Sequence, residues 1–315
     1  MATSSEHPAA DYAGTHGRQG RFADLFTPGV VWRLGLLLVL MICLYRHELR
    51  RLVVTWATDQ DWSHGFLIPV GSLLFVYLER HRLAAATFRT SLWGLPVLLM
   101  GIALYGASIY GKIGYTQALS IVITTSGLVL TLCGWRVTRI VWFALFFLLF
   151  ALPLPGDVYV AMTMPLRKLS SWISAGILST VVPSLEAVAS GTIIEYVGAD
   201  GKVGKLDVEQ ACAGMRLIMA FGAVGVTMAY LFERVWWHRG VLLLSILPIA
   251  VVCNIVRVTV TGLLWVTDHP DWATGAPHTL LGLVVLGLAL GLFSLISYIL
   301  NHLFVDVPDD GARGA

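Results

Sequence analysis

Charge is scarce in this chain. Asp, Glu, Lys and Arg make up 13% of its 315 residues, against about 25% in typical soluble domains. Hydrophobic residues make up 57%, and the mean hydropathy is +0.77. The composition excludes an ordinary soluble globular protein and predicts an integral membrane protein. The net charge of +2 gives no indication of a nucleic-acid partner.

Cysteine is scarce too, and its spacing excludes two kinds of site. None of the four cysteines belongs to a CxxC or CxxH pattern, so we predict neither a metal site nor a disulfide framework. The first 29 residues also lack the basic and then apolar order of a cleavable signal peptide. We expect residues 1–29 to form a disordered cytoplasmic tail and residues 304–315 to form a short C-terminal tail.

Apolar segments, by contrast, are abundant. A helix that crosses a membrane needs roughly 20 apolar residues, and eight segments approach that length. We therefore predict an all-α integral membrane protein, a polytopic bundle of about eight transmembrane helices within residues 30–303. The predicted spans are 30–45, 64–79, 92–110, 115–133, 137–153, 211–232, 240–265 and 278–303.

A long connector, about 154–210, separates spans five and six. Its first part, 158–182, mixes apolar residues with Arg167 and Lys168, which fits either an interfacial amphipathic helix or a ninth span. Its second part, "TIIEYVGADGKVGKLDV" (192–208), has two short β-type runs around an Asp-Gly turn. This pattern predicts a small β-hairpin, on the periplasmic side.

The distribution of Lys and Arg predicts the orientation. Cytoplasmic segments are enriched in these residues, and most of those outside the long connector fall on one side if the N-terminus is cytoplasmic. Three arginines assigned to the first outer loop go against the bias: Arg46, Arg50 and Arg51.

Two arginines fall inside predicted spans. Even on insertion scales such a residue costs at least about 2.5–3.5 kcal/mol, so a functional role is the default hypothesis. On the predicted topology, Arg216 lies near the outer end of span six and Arg257 lies in the outer half of span seven. Asn254 precedes Arg257 by one helical turn and either orients it by hydrogen bonding or has a structural role.

A thiol and two imidazoles are predicted at the same depth as these arginines. Cys212 begins span six, His278 begins span eight and His64 begins span two. A thiol at a helix N-terminus beside a cation has a lowered pKa, and Cys212 and Arg216 share a helix face. Histidine can act as base and acid, and arginine can bind an oxyanion or a carboxylate. The set indicates acyl transfer through a thioester.

Five ordered motifs extend this interpretation. They are "DWSHGFLIP" (61–69), "LPLP" (152–155), "ACAGMR" (211–216), "NIVRV" (254–258) and "HTLLG" (278–282). In these motifs and their order the chain resembles the exosortase family, the membrane cysteine transpeptidases of bacterial PEP-CTERM protein sorting. The family's catalytic Cys, Arg and His would fall on Cys212, Arg257 and His278.

The resemblance implies the function. A bacterial inner-membrane enzyme, with its active site facing the periplasm, would cleave C-terminal sorting signals from exported proteins. Each signal would comprise a short motif, a transmembrane helix and a basic tail. Lipid and exopolysaccharide machinery are further implied partners, and no cofactor is needed. A thioester would pass to an amine or to water, and the sequence does not choose between them.

Plainer interpretations stand beside these. In these interpretations Cys212 is a small buried apolar residue. Arg257 is a packing residue paired with a carboxylate, and His278 is an interfacial residue that caps span eight. Arg216 would bind the substrate carboxylate, alter the pKa of the Cys212 thiol or extend to the outer membrane–water interface. His64 binds substrate or lies in a turn with Ser63 as N-cap. The corresponding alternative function is a non-enzymatic scaffold or a transporter component of exopolysaccharide export.

Overall fold

The computed structural model is mostly helical and carries one small sheet. It describes residues 28–198, 201, 203–207, 214–231, 236–267, 272 and 275–303. The predicted tails, 1–29 and 304–315, lie outside these ranges except that the first helix already includes Pro28 and Gly29. The helices are α1 (Pro28–Thr58), α2 (Leu67–Leu78), α3 (Arg80–Ala84), α4 (Gly94–Gly111), α5 (Gly114–Phe147), α6 (Gly156–Val181), α7 (Gly214–Leu231), α8 (Trp236–Val266) and α9 (Gly275–Leu303).

Four helical segments of the described residues are long and apolar enough to cross a membrane: Gly94–Gly111, Gly114–Ala151, Trp236–Val266 and Leu280–His302. A shorter apolar helix runs over Met219–Leu231. Membrane helices are thus confirmed for part of the predicted set, while the count of eight stays a prediction. Helix α2, on the predicted second span, has only 12 residues.

The segment Gly114–Phe147 comprises two helical stretches that meet at a kink at Gly134. This residue has φ 79° and ψ 179°, a backbone conformation that costs a non-glycine residue free energy. A Cβ at this position would also collide with the carbonyl oxygen of Arg89. Gly134 falls between the predicted fourth span, 115–133, and the predicted fifth span, 137–153, so the kink separates the helical stretches that correspond to the two.

Helix α1 is longer than its predicted span. The predicted loop residues Arg46, Arg50 and Arg51 all lie within α1, so their assignment to a loop is wrong. Arg51 pairs with Glu48, which is fully buried, and donates a hydrogen bond to the carbonyl oxygen of Gly114 at 2.6 Å. An ion pair along the helix thus ties α1 to the connection between α4 and α5.

Two apolar clusters hold the helices together. One joins α7, α8 and α9 and includes Phe221, Leu242 and Phe293, all of which are fully buried. The other joins α2 and the second half of α5 to α7, with Phe75 and Phe143 in edge-to-face contact at 4.8 Å. Since both clusters include residues of α7, this helix joins the two groups of helices.

The sheet is antiparallel with strand order β1-β2-β3. Its strands are β1 (Glu186–Ser190), β2 (Ile193–Val197) and β3 (Val203–Asp207). The predicted hairpin is confirmed over β2 and β3, and β1 adds a strand that we had not predicted. Ile194 and Leu206 pack the sheet against Ala175 of α6 and Val258 of α8.

Candidate active site

The most deeply buried charge of the candidate site is Arg257. Its exposed fraction is 2%, and Asn254, one turn earlier on α8, is 6% exposed. Thr261 continues the same face one turn later at 1%. No described protein group bonds the Oδ1 atom of Asn254 or the Oγ1 atom of Thr261. Buried polar atoms normally have hydrogen-bond partners, so this strip of α8 is suited to contact a polar ligand or polar chain.

Helix α7 begins at the depth of Arg257. The two helices pack together with Gly225 against Ile246. Gly214 begins α7 eleven residues before Gly225, and Arg257 follows Ile246 by eleven residues. At 1.5 Å per residue both intervals are about 16 Å. In an antiparallel pair, the first turn of α7 and Arg257 therefore lie at one level.

Helix α9 begins close to the same level. Cys253 on α8 contacts the carbonyl oxygen of Val285 on α9, with 3.8 Å between Sγ and O. His278 precedes Val285 by about 10 Å of helix, and Arg257 follows Cys253 by about 6 Å. The backbone of His278 thus lies within about one turn of the Arg257 level.

The remaining predicted residues are described in part. Cys212 lies outside the described residues. Arg216 is in the first turn of α7 and His278 is in the first turn of α9, but their side chains lie outside the described part of the chain. The structure therefore brings the backbones of Arg216, Arg257 and His278 to one depth, and the contacts among the predicted catalytic side chains stay predictions.

His64 occupies a 3-10 turn, Gln60–Phe66, that contacts α7. Its Nε2 atom lies 3.2 Å from the carbonyl oxygen of Phe150. Because a carbonyl only accepts, Nε2 carries the proton in this contact. The proposed N-cap role of Ser63 is wrong, since the turn is capped by Asp59, whose carboxylate accepts from the Asp61 N–H at 2.9 Å.

Helix α6 starts beside this turn and ends beside α8. Near its start, the Tyr159 hydroxyl donates to the Asp61 carboxylate at 2.6 Å. Burial, and secondarily this hydrogen bond, raises the pKa of the Tyr159 phenol well above its usual value, so the phenol stays a donor. Further along, the Ser174 hydroxyl accepts from Thr259 at 3.2 Å. Helix α6 thus connects the 3-10 turn to the part of α8 that carries Arg257.

Helix α6 buries several polar side chains and exposes several apolar ones, with Lys168 also exposed. Its buried side chains include a second arginine, Arg167, which is 7% exposed and lies midway between Tyr159 and Ser174. The polar buried residues are Thr163, Arg167, Ser170, Ser171 and Ser174. The exposed apolar residues are Val158, Val160, Met162, Leu169, Trp172 and Val181. An outward apolar face and an inward polar face suit a helix that contacts lipid and lines a polar interior.

Sequence reasoning had placed Arg167 in the long connector without recognising its burial. The mixed composition of 158–182 does carry a signal, because its polar residues recur at helical spacing. Periodicity alone, however, does not tell which face of a helix points inward. Among the described residues, no three His, Cys, Asp or Glu side chains are grouped as metal ligands.

These features define a class: an α-helical membrane protein in which a buried arginine lies at the same depth as the starts of two neighbouring helices. The comparison with protein families then gives the identity. The model of the transmembrane exosortase family matches residues 56–295, and the chain belongs to that family. No curated protein and no solved structure matches the chain.

Proposed function

We propose that this protein is a cysteine transpeptidase or peptidase that removes C-terminal sorting signals from exported proteins. It would act at the outer face of the bacterial inner membrane, with about eight spans and a cytoplasmic N-terminus. The observation that carries the proposal is the burial of Arg257 at the level where α7 and α9 begin. Family membership supports it.

The proposed chemistry is acyl transfer. The Cys212 thiolate attacks the carbonyl carbon of the scissile peptide bond, and Arg257 stabilises the oxyanion of the tetrahedral intermediate. His278 donates a proton to the leaving amine as the C–N bond breaks. The resulting thioester passes its acyl group to an amine or to water, which regenerates the thiol.

Three residues would support this chemistry. Asn254 lies one turn from Arg257, and its Oδ1 atom, which no described protein group bonds, would accept a hydrogen bond from the substrate. Arg216, on the first turn of α7, would favour the Cys212 thiolate through its positive charge. His64 has a position beside α7, and its contact with Phe150 favours a role in fixing the 3-10 turn. The substrates would be exported proteins whose C-terminal motif precedes an apolar helix and a basic tail.

The test is a comparison of wild type with Cys212→Ala in cells that co-express a candidate substrate. Substrate size and a hydroxylamine-sensitive covalent adduct would be followed. Cys43 is exposed on α1, so Cys43→Ala provides a matched control. We expect both processing and adduct to vanish only in Cys212→Ala. Unchanged processing in this variant would remove Cys212 as nucleophile and favour a non-enzymatic scaffold or transporter component.

A further inference from the structure

The side chain of Thr261, on α8, lacks a contact that several other helical threonines of this chain make. A threonine in a helix commonly donates its hydroxyl hydrogen to the carbonyl oxygen one turn earlier. Thr163 on α6 donates in this way to Tyr159 at 2.7 Å, and Thr227 on α7 donates to Ala223 at 2.7 Å. No described protein group bonds the Oγ1 atom of Thr261. Its hydroxyl is therefore turned away from the carbonyl groups of its own helix.

Burial makes this missing bond costly. Thr261 is 1% exposed, so bulk water does not reach the hydroxyl. A buried polar group without a partner lowers the stability of the folded state. Such a group normally bonds a protein group, an ordered water or a ligand, and within the described part of the chain no protein group bonds this one. The partner is therefore a water molecule or a ligand.

The neighbouring residues on this face of α8 favour a ligand. Asn254, Arg257 and Thr261 follow one another at intervals of three and four residues, which places them on one face of the helix. The Oδ1 atom of Asn254 also has no bond to a described protein group. Asn254 and Thr261 are about 10 Å apart along the helix. One water molecule cannot bond both oxygens, whereas a longer polar molecule can.

An extended peptide fits this spacing. Its residues advance about 3.3 Å each, so three of them cover the distance between Asn254 and Thr261. The face offers an amide oxygen, a guanidinium and a hydroxyl in that order. The amide oxygen accepts, the guanidinium donates and the hydroxyl does either. Together the three groups match the N–H donors and C=O acceptors of a peptide main chain.

We propose that Thr261 binds the main chain of the exported substrate about two residues from the scissile bond. This assignment rests on the proposed function, in which Arg257 stabilises the oxyanion of that bond. Thr261 lies about 6 Å of helix beyond Arg257, and Asn254 lies on its other side, so the substrate would be held extended across the reacting carbonyl. The three residues are 1–6% exposed, so the helices around them have to part to admit the substrate.

The test uses purified full-length protein in nanodiscs and a reporter substrate that carries a candidate sorting signal. Thr261→Val keeps the shape of the side chain and removes the hydroxyl, whereas Thr261→Ser keeps the hydroxyl. Thr227→Val is the matched control, because the Thr227 hydroxyl bonds a carbonyl oxygen of its own helix. The value of kcat/KM and the melting temperature are measured for each variant.

We expect Thr261→Val to lower kcat/KM about three- to tenfold, the effect of one lost hydrogen bond. Its melting temperature should be equal to or above that of the wild type, because a buried hydroxyl without a protein partner is removed. Thr261→Ser and Thr227→Val should keep kcat/KM within about twofold. An unchanged kcat/KM in Thr261→Val overturns the proposal, and a lowered melting temperature beside it assigns the hydroxyl to packing. A loss that Thr261→Ser does not restore also overturns it.

A second measurement changes the substrate, so it does not depend on the folding of a variant. Substrates would carry one ester linkage in place of a peptide bond at successive positions, which removes an N–H and weakens the adjoining carbonyl as an acceptor. The wild type should lose kcat/KM at a position about two residues from the scissile bond. The same ester should have no further effect in Thr261→Val, since coupled groups are not additive. No loss at this position in the wild type, or equal losses in both proteins, refutes the assignment.

The failure of this assignment is distinguishable from the failure of the proposed function. If the wild type cleaves the reporter, Cys212→Ala does not, and Thr261→Val matches the wild type, only the assignment of Thr261 is wrong. If cleavage persists in Cys212→Ala, the proposed function is wrong and the assignment falls with it.

Discussion

Replacing Arg257 tests whether its guanidinium takes part in catalysis or only in packing. The side chain is 2% exposed, so solvent cannot take over its role. Arg257→Lys keeps the positive charge but loses the planar array of donors. Loss of one oxyanion donor typically lowers kcat by about 10²–10³-fold, or about 2.7–4 kcal/mol of transition-state stabilisation. We expect a fall of that size, with KM nearly unchanged.

The assay measures cleavage of a reporter substrate by purified protein in nanodiscs, with thermal unfolding recorded in parallel. Arg257→Met provides the second comparison, because it removes the charge and all the donors while keeping an unbranched side chain, and the parallel unfolding measurement separates a loss of stability from a loss of turnover. Arg139 is exposed, so Arg139→Lys is the matched control and should keep wild-type turnover. If Arg257→Lys and Arg257→Met both turn over at the wild-type rate, the oxyanion role is wrong.

Three further changes test other parts of the structure. Asn254→Ala should lower kcat/KM about tenfold through loss of one hydrogen bond to the substrate, with an unchanged melting temperature. A wild-type kcat/KM would leave Asn254 without this role. Tyr159→Phe removes the bond to Asp61 and should cost about 1 kcal/mol of stability, measured by thermal unfolding against Tyr110→Phe, whose ring is 91% exposed. Gly134→Ala should lower the free energy of unfolding by about 1–3 kcal/mol because of the positive φ at this position, and further because of the collision with Arg89. Gly106→Ala should be near neutral, since Gly106 has open space around it. Equal melting temperatures for the two variants would contradict the proposed strain.

The elements that could be predicted are those with strong local signals. The long apolar run of α8 predicts a membrane helix, and the Asp-Gly turn near Gly201 predicts the β2–β3 hairpin. Strand β1 escaped prediction because "EAVAS" has mostly small side chains, although Gly191 in its two-residue connection to β2 was an available turn signal. A tertiary contact with Ser179 of α6 also holds β1 in place.

The candidate site could be predicted as a set of residue types at one depth. The level of Arg257 follows from where helices begin and from the fixed rise of a helix, so the sequence is sufficient for it. The role of α6 could not be predicted, because the inward direction of Arg167 depends on which neighbours cover that face. Its mixed composition fits either an interfacial amphipathic helix or a ninth span, and only the packing shows which polar side chains are buried.

The buried polar side chains of α6 also bear on how a charged site is kept inside an apolar bundle. Arg257 on α8 must be shielded from lipid, since an unsatisfied guanidinium there is costly. Helix α6 presents the Ser174 hydroxyl toward α8, where it contacts both Thr259 and the carbonyl oxygen of Ile255, close to Arg257. Trp172, on the opposite side, is 70% exposed. One helix thus supplies a polar wall for the site and an apolar surface for the bilayer, which explains why its sequence looks intermediate between a span and a surface helix.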